Sequence, residues 1–450
     1  METKSSTTQN DMLSPRLGLF TATMIVIGSI IGSGIFKKIA PMSLKLQSQS
    51  LVLLAWAFAG VITLLGALTY AEIAGRLAQT GGLYAYLRSM YGKFVGYLYG
   101  WSCFSVIQSA SIASIAYVFA EAIYSLFPFS FYGIEVKLIA VSTILFLTLL
   151  NFVGLLFGAW LENIFTVLKI IGILLVAVFA FVIGQNTHSI ITPAIPPISS
   201  PATGLALIPL MFSAMLGAFW AYDGLNNIGF IGGEIKNAKK NIPLALIMGV
   251  SGILGIYLLV NFAYFHALAL SDIFTIAQMP GKIFAIEMIN QIKGPSAALL
   301  VSILIMISTF GATNGSILTS ARIYYAMARD NIFFKALGKT HPKFHTPSSS
   351  LMIQGFWASV LVCSGSFDQL TDMLIFVSFI FYGLGAFGLL RLRKQNIGSP
   401  RFVVPTIVPI LYMLFCATLV VFTIYQNPMQ AVVGLLLALT GIPLYFWFNR

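Results

Sequence analysis

Charged residues are scarce in this sequence. Asp, Glu, Lys and Arg together make up 8% of its 450 residues, whereas hydrophobic residues make up 58%. Charged residues usually account for about 25% of a soluble globular domain, so the composition excludes that class. Apolar runs of about 20 residues, the length of helix that crosses a bilayer, recur along the chain. The sequence therefore predicts a helical integral membrane protein in a lipid bilayer.

Cysteine is also rare. Cys103, Cys363 and Cys416 are the only three, and each lies alone in an apolar run without the spacing of a disulfide framework or a metal site. We therefore expect all three to be packing residues. The excess of basic over acidic residues, 25 against 13, falls between the apolar runs, where it is a topology signal. It does not predict a nucleic-acid partner.

Signatures of catalysis are missing from the sequence as well. It contains no nucleophile-elbow or zinc-protease pattern. His341 and His345 have the spacing of a helical metal pair, but Pro342 lies between them and opposes a helix there. Residues 338–340 resemble the end of a phosphate-binding loop, yet Phe333 stands where that loop requires Gly. We expect no metal, no cofactor, no enzyme activity and no ATP-driven step.

The apolar runs predict twelve membrane spans, an even number that places both termini on one side. Of the 25 Lys and Arg residues, 18 lie in segments that share the N-terminal side and 6 lie on the other side. The positive-inside rule then puts both termini in the cytoplasm, beneath the plasma (inner) membrane.

Residues 1–16, which are polar and rich in Ser and Thr, predict a disordered tail. The predicted spans are 17–41, 51–74, 94–126, 134–157, 160–184, 204–232, 243–270, 296–326, 350–366, 371–391, 402–426 and 428–448.

The first span contains a stretch where a membrane helix is expected to break. Residues 25–36 hold Gly28, Gly32 and Gly34 within an apolar run. Unpaired backbone groups are costly in hydrocarbon, so a break survives only where it lines a cavity. The N–H groups of Ser33 and Gly34 would then face an anion such as a carboxylate. The alternative is that Gly28 and Gly32 form a small-residue packing face.

The sixth predicted span is interrupted in a similar way at residues 220–227. Asp223 and Gly224 are expected to end a helix, which leaves the carbonyl groups before them free to bind an ammonium. The Asp223 side chain either binds that ammonium or caps the following half-helix, and we favour the cap. Neighbouring binding positions for an anion and a cation predict a site for a zwitterion, and amino acids are the abundant zwitterions.

The two broken spans, the first and the sixth, are separated by five spans. An odd separation places two five-helix halves in opposite orientations, which is the pattern of transporters with inverted repeats and a central binding site. We expect residues 17–184 to form the first repeat, residues 204–391 the second, and residues 402–450 two accessory helices. The predicted fold class is all-α integral membrane.

Lys169 lies near the middle of the fifth predicted span. A charge at that depth costs about 2.5 to 3.5 kcal/mol on the insertion scale, and the distance to either end opposes snorkelling. An ammonium there would bond carbonyls of the broken first span, in the place that a sodium ion holds in related architectures. We therefore expect transport that does not depend on sodium.

Seven short motifs are spread along essentially the whole chain. They are Gly32-Ser-Gly-Ile-Phe36, Gly81-Gly-Leu-Tyr84, Tyr222-Asp-Gly224, Glu234-Ile-Lys-Asn237, Asn241-Ile-Pro243, Phe310-Gly-Ala-Thr-Asn-Gly-Ser316 and Ala328-Arg-Asp330. Together they resemble the amino acid/polyamine/organocation superfamily, and within it the bacterial relatives of the L-type amino acid transporter branch. The resemblance implies a leucine-transporter-like fold of two inverted five-helix repeats plus two extra helices.

The resemblance also implies how a substrate is held. Its carboxylate would bind the N–H groups of Ser33 and Gly34, and its amine would bind the carbonyls of Ile30, Trp220 and Asp223. Lys169 matches the lysine that this branch carries in helix five, where it links to helix one and is associated with sodium independence. The predicted substrate-binding residues are Ile30, Gly32, Ser33, Gly34, Trp220, Tyr222, Asp223 and Gly224, with Lys169 as the coupling residue.

Two departures from the branch leave the substrate open. Trp220 stands where the branch usually has Phe, and the arginine/agmatine exchangers of the wider superfamily place a Trp near this position as a gate. Leu225 replaces the usual Trp after Asp-Gly. The predicted function is secondary transport of amino acids by alternating access, either as a sodium-independent exchanger or with proton coupling. The alternatives are an amino acid/polyamine antiporter of the arginine/agmatine kind and a non-transporting amino acid sensor.

Animal members of the branch attach a single-span partner subunit through a cysteine in an outer loop. The predicted outer loops of this chain contain no cysteine. We therefore expect no disulfide-linked partner, and the sequence does not indicate an oligomeric state.

Overall fold

The computed structural model describes residues 17–77, 81–154, 159–184, 204–279, 281–344, 346–398, 400 and 402–448. The predicted tail 1–16 and His345 lie outside the described residues. Nearly all of the described chain is helical. The helices are α1 (Leu19–Ile30), α2 (Gly34–Lys37), α3 (Ile39–Leu46), α4 (Gln49–Leu77), α5 (Gly82–Tyr91), α6 (Lys93–Ser102), α7 (Gln108–Leu126), α8 (Glu135–Val153), α9 (Ala159–Ile183), α10 (Leu207–Tyr222), α11 (Ala238–Ala267), α12 (Leu270–Ala277), α13 (Phe284–Lys293), α14 (Pro295–Arg329), α15 (Ser348–Ser364), α16 (Phe367–Lys394), α17 (Ile407–Gln426), α18 (Pro428–Leu439) and α19 (Gly441–Phe448).

Eleven helical segments of the described chain are long and apolar enough to cross a membrane. This confirms the prediction of an all-helical membrane protein. The ninth predicted span, 350–366, corresponds to α15, which is apolar but has only 17 residues. The eleven segments are Leu19–Lys37, Gln49–Leu77, Lys93–Leu126, Glu135–Val153, Asn163–Val182, Leu207–Glu234, Ala238–Ala267, Pro295–Arg329, Phe367–Lys394, Ile407–Gln426 and Pro428–Trp447.

The first and the sixth of these segments are interrupted within their length. The first changes from α1 to α2 across residues 31–33. The other ends its α-helix at Tyr222 and continues as a 3₁₀-helix over Leu225–Glu234. Between them Gly224 has a φ of 116°, a conformation that glycine adopts without the steric cost of a Cβ. Both interruptions fall in the stretches where the sequence predicts a break.

A tyrosine of α11 joins the two interruptions. The Tyr257 hydroxyl lies 3.3 Å from the carbonyl oxygen of Ile30 and 3.1 Å from that of Ala221. These carbonyls belong to the ends of α1 and α10, and the last carbonyls of a helix have no partner within it. Because α11 packs against α1, α4 and α9, the hydroxyl is held at the point where both helix ends need a donor.

The first turn of α16 is fixed by a capping box. The Ser366 hydroxyl accepts a hydrogen bond from the Gln369 N–H at 3.4 Å, and the Gln369 side-chain oxygen accepts one from the Ser366 N–H at 3.0 Å. Phe367 and Asp368 follow directly in this turn, so their positions are set by local hydrogen bonds as well as by packing.

The cysteines differ from the sequence-based expectation at one position. Cys103 and Cys416 are buried, as packing residues should be, but Cys363 is exposed. Cys363 lies in the last turn of α15, where its backbone carbonyl accepts a hydrogen bond from the Lys137 ammonium at 3.1 Å. The prediction that all three are packing residues is therefore wrong for Cys363, because its place at a helix end leaves the side chain outside the core.

Candidate functional site

A small cavity lies where the two interruptions meet. Its volume is about 20 Å³, which is room for about one water molecule, so the helices around it must separate to admit anything larger. The surrounding helices include both halves of the first broken segment, α7, α10 and α14. The cavity is lined by Ser29, Ile30, Gly32, Ser33, Gly34, Gln108, Ser111, Ile115, Trp220, Asp223, Gly224, Asn227 and Ser316.

The first interruption brings unpaired donors to this cavity. Within the described part of the chain, the N–H groups of Gly32, Ser33 and Gly34 donate no backbone hydrogen bond. The Ser33 side chain is fully buried, and its hydroxyl has no hydrogen-bond partner. Buried polar groups in native proteins are usually hydrogen-bonded, so a group of unpaired donors at a cavity is a candidate binding position.

The second interruption contributes oxygen atoms. The carbonyl of Trp220 accepts one long hydrogen bond of 3.4 Å from the Asp223 N–H, and a carbonyl oxygen can accept two. The Asp223 carboxylate accepts a hydrogen bond of 2.8 Å from the Tyr382 hydroxyl. This bond holds the carboxylate at the cavity through α16, so acceptors of α10 lie opposite the donors of the first interruption.

Two glycines allow the interrupted segments to touch. A Cβ on Gly34 would lie 2.6 Å from the Cα of Ala221, and a Cβ on Gly224 would lie 2.4 Å from the carbonyl oxygen of Ser29. Gly32 is different, because its Cβ would meet nothing closer than the Ile30 carbonyl oxygen at 4.0 Å. Packing thus explains glycine at positions 34 and 224, whereas Gly32 leaves open space beside the cavity.

Seven of the eight predicted substrate-binding residues line the cavity. Tyr222 is the one that does not. Its ring packs on those of Trp56 and Tyr257, with centroids 5.8 and 5.1 Å away. The Tyr222 side chain therefore lies in the core between α4 and α11, beside the interruption. Trp220 and Asp223 line the cavity.

Five polar lining residues are missing from the sequence-based set, Ser29 of α1 and four from other elements. Gln108 and Ser111 come from α7, Asn227 from the 3₁₀-helix and Ser316 from α14. The Gln108 amide nitrogen lies 3.4 Å from the side-chain oxygen of Asn227. A π-helical turn, Cys103–Ile107, immediately precedes Gln108, and such turns are frequent at functional sites. Polar residues at helical spacing within the third apolar run were the available signal.

Lys169 lies behind the first interruption and outside the cavity. Its side chain is 2% exposed, and its ammonium donates a hydrogen bond of 2.9 Å to the carbonyl of Gly28. This is the contact with the broken first helix that the sequence predicts. The bond connects α9 to α1 one turn before the interruption.

The bundle is closed at the face where α1 begins, which we call the α1 face. The Leu17 N–H donates to the Glu234 carbonyl, and the Lys236 N–H donates to the Leu17 carbonyl, both at 2.9 Å. Nearby the Tyr84 hydroxyl donates to Asp330 at 2.6 Å. Burial and this hydrogen bond raise the pKa of Tyr84, so the phenol keeps its proton. The first two bonds join the first and sixth segments, and the third joins the motifs at residues 81–84 and 328–330.

Known proteins resemble the chain over nearly its whole length. Residues 17–448 match the family described as amino acid permease. The serine/threonine exchanger SteT of Bacillus subtilis (strain 168) is 32% identical over 448 residues, which cover 98% of this chain and 99% of the relative. The b(0,+)-type amino acid transporter 1 of Homo sapiens is 30% identical, covering 97% and 88%. The large neutral amino acids transporter small subunit 2 of Homo sapiens is 29% identical, covering 96% and 80%.

The family and these three relatives are amino acid transporters, and the match spans both interrupted segments. This confirms the superfamily predicted from the motifs and the prediction of amino acid transport. The chain belongs to the amino acid permease family, within the amino acid/polyamine/organocation superfamily.

Proposed function

We propose that the protein exchanges amino acids by alternating access, with the substrate bound in the cavity between the two interruptions. The observation that carries this proposal is the set of unpaired donors at Gly32, Ser33 and Gly34, which faces the acceptors of Trp220 and Asp223 across one cavity. A substrate carboxylate would bind the donors and its ammonium the acceptors. No bond is broken in the substrate, so the work of the protein is conformational.

The cavity lining favours small, polar, uncharged side chains among the possible substrates. Gln108, Ser111, Asn227 and Ser316 offer hydroxyl and amide groups. The relatives are named for different substrates, and only SteT is named for serine and threonine. The polar lining is therefore the reason to choose serine and threonine as the first substrates.

An arginine/agmatine type of exchange is the second candidate, because Asp223 and Trp220 both line the cavity. A cationic side chain would bind the Asp223 carboxylate. Against it, Asp223 already accepts the Tyr382 hydroxyl, which supports a positioning role for the carboxylate. A sensor that binds amino acids without moving them is the candidate from another class.

Counterflow into proteoliposomes distinguishes these functions. Vesicles loaded with unlabelled serine should take up labelled serine and threonine, with the same rate in sodium and in choline buffer. Uptake of agmatine or arginine with no competition by serine would favour the second candidate. A rise in thermal stability with serine, without any counterflow, would favour the sensor.

Asn227→Leu should weaken selection between threonine and its isostere valine. A polar group left unpaired by valine costs about 1 to 3 kcal/mol, so the parent protein should prefer threonine by about tenfold or more. The variant should lose most of that preference while still exchanging amino acids. Competition of each amino acid against labelled serine provides the measurement.

Asn163→Leu is the matched control for this substitution. Asn163 bonds the Thr21 hydroxyl at 3.3 Å and does not line the cavity, so its loss should leave the threonine preference unchanged. An equal fall in both variants, or none in Asn227→Leu, would contradict the assignment of the polar lining.

The topology belongs to the same proposal: twelve spans, two inverted repeats over residues 17–184 and 204–391, and accessory helices over 402–450. The length of α15, 17 residues, is at the lower limit of about 17 to 25 for a membrane helix, which supports counting it as a span. Both termini would then be cytoplasmic. A protease applied to right-side-out vesicles should leave tags at either terminus intact.

The proposal includes no disulfide-linked partner subunit. Cys103 and Cys416 are buried, which supports it, whereas Cys363 is exposed and open to a partner. Membranes run on a non-reducing gel should give the same band for the parent protein and for Cys363→Ser. A larger band that disappears with Cys363→Ser would overturn this part of the proposal.

A further inference from the structure

A cluster of ion pairs closes the bundle at the face opposite the α1 face, where α2 and α3 lie. We call it the α2 face. The Lys37 ammonium lies 2.6 Å from the Glu121 carboxylate of α7. The Lys38 ammonium lies 2.5 Å from the Asp368 carboxylate of α16 and 2.7 Å from the Thr371 hydroxyl. The half-helix that follows the first interruption is thereby tied to two other helices.

Three of the four charged side chains in these two pairs are shielded from solvent. The side chains of Lys38 and Glu121 are 2% and 3% exposed, and that of Lys37 is 13% exposed. A buried ion pair adds little net stability, because the cost of removing both charges from water offsets their attraction. The Lys37–Glu121 pair is of this kind, whereas Lys38 is buried but its partner Asp368 is 54% exposed. A buried pair and a buried lysine at the end of one half-helix therefore call for a role other than holding the fold together.

An aromatic contact joins this cluster to the cavity. The Phe367 ring lies under both ammonium groups, each 4.6 Å from its centroid. Its other neighbour is Trp220, whose ring centroid is 6.2 Å away in an edge-to-face arrangement. Trp220 lines the cavity. A continuous path of contacts thus runs from the two ion pairs through Phe367 to the wall of the site.

We propose that Lys37, Lys38, Glu121, Phe367 and Asp368 form a latch that keeps the cavity closed at the α2 face. The lysines hold α2 against α7 and α16. They also contact the Phe367 ring and keep it packed against Trp220. Opening at this face requires both ion pairs to separate, whereas opening at the α1 face leaves them intact. This inference goes beyond amino acid exchange, because it assigns the free-energy barrier to opening at the α2 face to the two ion pairs of the latch.

The remaining charged groups near the latch are Lys45 and Asp372. The Lys45 ammonium bonds the backbone and side-chain oxygens of Ser213 on α10, at 3.2 and 3.0 Å. Asp372 lies one turn after Asp368 on α16, where it faces Lys38 and Lys45. The capping box at Ser366 fixes the turn that presents Phe367 and Asp368, so the α16 side of the latch is rigid and α2 is the part that moves.

The test measures cysteine accessibility on the two sides of the cavity. One reporter, Ile115→Cys, lies on α7 between the cavity and Glu121, and the other, Ser29→Cys, lies on α1 at the opposite side. Both are made in a Cys363→Ser background, because Cys363 is exposed. The rate of reaction with a charged, membrane-impermeant thiol reagent is followed in purified protein.

Two latch variants are compared with the parent. Lys38→Met leaves Asp368, which is 54% exposed and stays solvated. Lys37→Met combined with Glu121→Gln removes the other pair without leaving a buried charge alone. Each should raise the reaction rate at Ile115→Cys about tenfold, the size of an ordinary conformational coupling, and should leave the rate at Ser29→Cys equal or lower.

A charge exchange and a matched control complete the experiment. Lys37→Glu combined with Glu121→Lys should return Ile115→Cys to the slow rate of the parent. Lys282→Met removes an exposed pair with Glu287 outside the latch and should change neither rate. Unchanged labelling in both folded latch variants would overturn the proposal. Faster labelling of both reporters would overturn it as well, since that result means general loosening.

Discussion

Gly32→Val is expected to reduce amino acid exchange by about 100-fold or more, with no fall in thermal stability. The valine side chain would fill the space beside the unpaired N–H groups, and losing two hydrogen bonds to a charged carboxylate costs about 3 kcal/mol at least. Stability should survive because a Cβ at this position meets nothing within contact distance except the Ile30 carbonyl at 4.0 Å. Serine counterflow and a thermal melt provide the two measurements.

Gly252→Val is the matched control for this prediction. Gly252 lies in α11, a Cβ there would also meet open space, and it does not line the cavity. Exchange by this variant should equal that of the parent. Gly34→Val is a poor probe, because its Cβ would strike the Ala221 backbone at 2.6 Å and disturb packing together with binding. Near-normal exchange by Gly32→Val would remove the carboxylate from this part of the chain.

Lys169→Met should slow exchange by about tenfold or more while the folded protein still binds serine. The substitution keeps much of the side-chain length but removes the ammonium that bonds the Gly28 carbonyl at 2.9 Å. A hydrogen bond to a charged group contributes about 1.5 to 3 kcal/mol, and here it couples α9 to the helix that breaks at the cavity. Exchange rates, together with the rise in melting temperature that serine causes, separate turnover from binding.

Lys137→Met removes a lysine–carbonyl bond of the same kind at a different place. Lys137 donates to the Cys363 carbonyl at 3.1 Å near the surface, so its loss should leave the exchange rate unchanged. If Lys169→Met also exchanges serine at the parent rate, Lys169 has only a packing role. Sodium should make no difference to the parent protein in either case.

The interruptions were predictable because the signal for them is local. Glycines at 28, 32 and 34 and the Asp223-Gly224 pair mark places where a membrane helix can end, whatever surrounds them. Lys169 was predictable for a similar reason, since a charge inside an apolar run needs a nearby acceptor. The same reasoning identified seven of the thirteen residues that line the cavity, all within a few positions of a break.

The remaining parts of the site depend on contacts between distant segments. Whether Gln108 or Ser111 faces the cavity depends on the rotation of α7, which the π-helical turn at Cys103–Ile107 changes. Tyr222 was expected at the cavity but packs on Trp56, whereas the next residue, Asp223, lines the cavity. Neighbouring helical residues face different sides, and the sequence does not show which side faces the cavity. The pairing of Lys38 with Asp368 joins positions 330 residues apart, and no spacing rule reports such a contact.

The shared hydrogen bond of Tyr257 has a mechanical consequence. One phenol bonds the carbonyl ends of α1 and α10, so a tilt of either helix alone would move its carbonyl away from the donor that the two helix ends share. Both helices are therefore expected to move together relative to α11, and the residue that couples them, Tyr257, lies outside the cavity lining.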